Sequence, residues 1–142
     1  MTFVDRCLEK AKAVLEEIVE EEKVHPYKQI VGVWETLEQL LRAIIYAYRK
    51  VTYEKPQKLI SMLPRLVKKA RSKELIVALQ KAYAKRRGIV HRPNIPDKTR
   101  LEKMKIEFCF VAHRLLDILK DKGYEARDLR KGIELLCENT YK

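Results

Sequence analysis

Apolar residues recur at steps of three and four along almost the whole chain, and no segment alternates as a strand would. Val4, Leu8, Ala11, Leu15 and Ile18 open the pattern, and Ile30, Trp34, Leu37, Leu41, Ile44 and Tyr48 repeat it. Leu101, Met104, Phe108, Val111, Leu115 and Ile118 repeat it again. A period of 3.6 residues gathers such positions on one side of a helix, whereas a strand buries every second residue. With 142 residues, four glycines and five prolines, the chain is long enough for a real core and poor in turn formers. The expectation is an all-α fold, a bundle of about five helices forming a single domain over residues 1–142.

Prolines and glycines set the expected boundaries. The first helix is predicted from Thr2 to Lys23 and closes at His25-Pro26-Tyr27, because a proline restrains the residue before it. The second is predicted over Lys28–Tyr53, with Leu40 and Ile45 widening its stripe toward more than one neighbour. Pro56 interrupts the pattern, and residues 57–63 and 64–71 read as two short helical pieces, Pro64 suiting a first turn. A firmer helix is predicted over 72–87, capped by Ser72, with Ile76, Leu79 and Tyr83 inward. Pro93 and Pro96 mark a loop. Asp97 or Thr99 then caps a helix to Lys122, and Gly123 suits its C-terminal turn. A last helix takes Ala126, Leu129, Ile133 and Leu136.

Several function classes fall away. No apolar run approaches the roughly 20 residues that span a bilayer, so no membrane partner is expected. Met1-Thr2-Phe3-Val4-Asp5-Arg6 has no signal-peptide character. Cys7, Cys109 and Cys137 are odd in number and widely spaced, which reads as buried free thiols in a reducing cytoplasm, not a disulfide or zinc framework. No metal-ligand constellation, glycine-rich phosphate loop or Ser/His/Asp set is recognisable, so neither metal nor other cofactor is expected.

Charge is unevenly placed. Residues 65–92 hold ten Lys/Arg against one acid, Glu74, which is most of the chain's formal +11, while residues 1–24 carry seven acids and four bases. Positive charge so concentrated points to a polyanionic partner. The window ends in Lys85-Arg86-Arg87-Gly88-Ile89-Val90-His91-Arg92-Pro93. Gly88 and Pro93 are poor helix-interior residues and predict a helix-to-loop break there. Arginine binds phosphate through a planar, permanently charged fork, and histidine moves protons near neutral pH. Together they are what RNA cleavage without a metal requires.

A helical bundle with Arg-x4-6-His before its last long helices resembles the HEPN superfamily (higher eukaryotes and prokaryotes nucleotide-binding). Arg86 and His91 match that motif with four intervening residues, and Glu38 with Arg42 resembles the Glu-x-x-x-Lys/Arg pattern on the second helix of some members. Arg87 stands where many members carry Asn or Asp. Pro93 stands where members paired with a nucleotidyltransferase antitoxin often carry a modifiable tyrosine, so control through that tyrosine is not carried over.

The resemblance implies a metal-independent endoribonuclease, a toxin or defence effector, acting as a homodimer with a composite site. Arg86 and His91 would be its catalytic residues, and Glu38 and Arg42 a supporting pair. From the charge pattern, Lys81, Lys85, Arg87 and Arg92 are the expected RNA contacts. A nucleotidyltransferase-type antitoxin is a further partner compatible with the family. The alternative is a non-catalytic helical module that binds RNA or protein through its basic face.

Overall fold

The computed structural model describes residues 2–20, 26–91 and 98–140. Six α-helices account for nearly all of them: α1 (Phe3–Glu20), α2 (Pro26–Arg49), α3 (Pro56–Leu66), α4 (Lys73–His91), α5 (Lys98–Asp121) and α6 (Arg127–Thr140). A single 3-10 turn, Lys68–Ala70, joins α3 to α4. No strand occurs among the described residues, as the all-α reading requires.

α2 is the central helix. It packs on α1, α3, α4 and α5, while α6 covers α1 and α5. Leu37, Leu40, Leu41, Ala43, Ile44 and Ile45 are fully buried, an apolar surface far wider than a one-neighbour stripe. Trp34 is 1% exposed, and its ring lies 5.2 Å from that of Tyr83 on α4. α1 approaches closely at Gly32, where a Cβ would fall 2.7 Å from Ile18 Cδ1, so the contact is open only to glycine without a shift of Ile18. One turn on, the buried Thr36 donates its Oγ1 proton to the Gly32 carbonyl at 2.9 Å, which satisfies its hydroxyl within the helix.

The structure differs from the sequence expectation along α2, α3 and α4. α2 stops at Arg49, where Lys50 takes a left-handed φ of 56° and its N–H donates to the Tyr46 carbonyl. The expected extension to Tyr53 is replaced by a loop, and Arg42 donates to the carbonyls of Tyr53 and Glu54 in it. α3 runs unbroken through Pro64, which has no N–H to give the Ile60 carbonyl and so leaves one bond of the ladder unmade. α4 runs through Gly88 to His91, so the break expected at Gly88 is absent. A glycine costs a helix only about 1 kcal/mol, which a formed helix absorbs. Lastly, Leu75 and Leu79 are the fully buried residues among the described side chains of α4, while Ile76 and Tyr83 are half-buried.

Other expectations hold. Ser72 Oγ accepts the Leu75 N–H at 3.3 Å, the capping bond predicted for α4. Gly123 closes α5 at φ 92°, with Gly123 N–H on the Lys120 carbonyl and Tyr124 N–H on the Leu119 carbonyl. That is the paired hydrogen bonding of a glycine-terminated helix. Thr99 lies inside the first turn of α5 and so is not its N-cap, while Asp97 lies outside the described residues. Ala126 stands just before α6 with a φ of 46°, and Leu129, Ile133 and Leu136 are buried as predicted.

The cysteine reading needs correction. Cys109 of α5 and Cys137 of α6 form a disulfide with Cα atoms 5.9 Å apart, so only Cys7 is free. Odd number and wide spacing in sequence hid a pair that two packed helices bring side by side. Burial pushes the Cys7 thiol up from its ordinary range.

Candidate functional site

α4 carries the basic motif, and its helical register decides which way each residue faces. Arg86 stands eleven residues after Leu75 and seven after Leu79, so it continues the core-facing stripe of α4. It occupies a place where an apolar residue would ordinarily sit. Its side chain is half-buried. Its Nε is fully buried and has no hydrogen-bond partner among the described residues. No ion pair among those residues involves it either. A buried donor left unmade costs about 1–3 kcal/mol, so this arrangement is an expense to the fold.

The other basic residues of α4 divide into committed and open groups. Lys85 reaches α5, its Nζ 3.6 Å from Glu107 Oε2. The contact lies over a closed seam in which Val33, Ala82 and Phe108 leave almost no free space. Lys81 and Arg87 are exposed, and neither joins an ion pair among the described residues. Arg92 lies outside the described residues. His91 is the last residue of α4. Five residues from Arg86 on a continuous helix, it is displaced about 140° around the axis and about 7.5 Å along it.

Glu38 and Arg42 do meet, Nη2 of Arg42 lying 3.5 Å from Glu38 Oε1, with each side chain about one-fifth exposed. The same guanidinium donates to the Tyr53 and Glu54 carbonyls. Both of its terminal nitrogens are therefore engaged in anchoring the α2–α3 loop. The sequence pattern signalled the pair but not this anchoring, since the loop carbonyls leave no trace in residue type.

Among the described residues, two grooves of comparable size can be compared. One, about 500 Å³, lies between α1 and α6 and is lined by Asp5, Glu9, Lys12, Arg127 and Asp128 with three apolar neighbours. Acids outnumber bases there. The other, about 450 Å³, lies between α3 and α4, and Arg87 is the one charged residue among its described lining. Among the described residues, no three His, Cys, Asp or Glu side chains gather closely enough to hold a metal ion. No described helix is long and apolar enough to cross a membrane.

Comparison with protein-family models, with curated proteins and with solved structures finds no match for this chain.

Proposed function

We infer that the protein is a metal-independent endoribonuclease of HEPN type that acts as a homodimer through Arg86 and His91. The observation that carries this reading is the buried Nε of Arg86, on the core-facing stripe of α4, which has no hydrogen-bond partner among the described residues. A fold gains nothing by burying an arginine donor with no acceptor, whereas an anion-binding site requires one. The concentration of positive charge over residues 65–92 supports a polyanion as the ligand.

RNA brings its own nucleophile, the 2′-hydroxyl beside the scissile phosphate. His91 takes that proton, or gives one to the leaving 5′-oxygen, help worth about 10²–10⁴ in rate. Arg86 binds the non-bridging oxygens and stabilises the charge that grows on them. One imidazole cannot serve as base and acid in the same instant. The 140° between the two positions on α4 also sets them on different sides of one helix. A second copy across a two-fold axis supplies the missing partners, and two-fold dimers are the commonest oligomers. A toxin or defence role and an antitoxin partner belong to this same proposal through the family resemblance.

The test has two parts. Light scattering at micromolar concentration should give the mass of a dimer. Purified protein in EDTA should cleave single-stranded RNA, and His91→Ala should not. A monomer would remove the composite site. His91→Ala cleaving as well as wild type would leave the RNA-binding module as the reading of the basic face.

A further inference from the structure

The α3–α4 groove has a composition that the cleavage chemistry does not use. Ile60, Pro64 and Ile76 contribute apolar surface, and the exposed Gln57, Gln80 and Arg87 stand at its edge. Its volume of about 450 Å³ falls in the range of small-molecule pockets. No carboxylate is among its described lining, in contrast to the α1–α6 groove with its Asp5, Glu9 and Asp128. On α4 the groove follows residues 80, 84 and 87, a row that runs toward the end of the helix at His91. The groove therefore leads along α4 toward the histidine of the motif.

We propose that this groove is a base-binding subsite, holding an unpaired nucleobase of single-stranded RNA next to the phosphate at the motif. This rests on the reading of α4 as an RNA-binding helix, but not on cleavage. Apolar walls cover the faces of a base. The amides of Gln57 and Gln80 each offer donors and an acceptor, which is what reading a base edge requires. Arg87 meets the phosphate that any nucleotide carries with its base.

The test uses a short 2′-O-methyl oligoribonucleotide, which lacks the nucleophile and cannot be cleaved, and an abasic oligomer of the same length. Wild-type protein should bind the base-bearing strand roughly tenfold more tightly in fluorescence anisotropy. Ala84→Trp fills the groove from α4 and should bring the two affinities within about twofold of each other. Ser61→Trp does the same from α3 and serves if the first variant melts early. Equal affinities in wild type overturn the subsite while leaving RNA binding in place. An undiminished preference in both variants places the base elsewhere and also overturns it. A change in particle mass with the preference unchanged would show a protein contact instead. If wild type binds neither strand, the RNA reading of α4 falls together with the subsite.

Discussion

Lys85 Nζ stands 3.6 Å from Glu107 Oε2 across the α4–α5 seam, so one of the four cations expected to touch RNA is already neutralised within the fold. Both side chains remain partly open, 39% and 28% exposed, and water screens the pair. Freeing Lys85 should therefore strengthen RNA binding. Glu107→Gln is expected to raise affinity and to steepen the salt dependence by about 0.7 in log–log slope, one phosphate contact on a single strand. Arg87→Ala should flatten that slope by a similar amount. An unchanged slope in Glu107→Gln places Lys85 outside the footprint.

Arg86 separates a functional from a structural role by sign. Its Nε is buried without a partner, so methionine, of similar length and without a donor, removes a cost. Arg86→Met should melt at or above the wild-type temperature while losing cleavage in EDTA. A loss of stability beyond about 2 kcal/mol in chemical denaturation would show that the guanidinium holds the fold together.

The helical stripes were readable because burial follows the 3.6-residue period. Trp34, Leu37, Phe108 and Ile133 fall where the pattern puts them, and Ser72 and Gly123 cap as their types predict. What was not readable depends on contacts distant in sequence. The Arg42 anchor on the Tyr53 and Glu54 carbonyls ends α2 early, and the Cys109–Cys137 bond exists only because α5 and α6 pack side by side. Local punctuation also misled at Gly88, where propensity lost to a helix already formed. That error bears on the site, since a continuous α4 separates Arg86 from His91 instead of folding one back on the other. Residue types alone identified Arg86, yet only the structure revealed its unpartnered Nε.

Gly88 offers a direct check on that continuity. A Cβ built there meets nothing within 4 Å. Gly88→Ala should therefore stabilise the protein by about 0.5–1 kcal/mol, the usual helix-interior difference. A lower denaturation midpoint in Gly88→Ala would mean that α4 ends before His91.

The cysteines predict a thiol count. Without reductant, the native protein should react slowly with a thiol reagent, since Cys7 is 4% exposed and burial disfavours its thiolate. Denaturation should expose one thiol, and prior reduction three. Closing a loop of 28 residues contributes about 3–4 kcal/mol on the chain-entropy estimate, so reduction should lower the unfolding free energy by that order. Three thiols in unreduced, denatured protein would contradict the Cys109–Cys137 bond.

We propose that Arg86 and His91 cleave RNA with the strand's own 2′-hydroxyl as nucleophile. The most direct measurement follows a defined single-stranded RNA in EDTA, beside the same strand carrying one 2′-deoxynucleotide at the main cleavage position. Products ending in a 2′,3′-cyclic phosphate and a 5′-hydroxyl are expected, with cleavage lost at the 2′-deoxy position, in Arg86→Ala and in His91→Ala. Cleavage that persists at the 2′-deoxy position or in His91→Ala, or no cleavage with or without divalent metal, would contradict it.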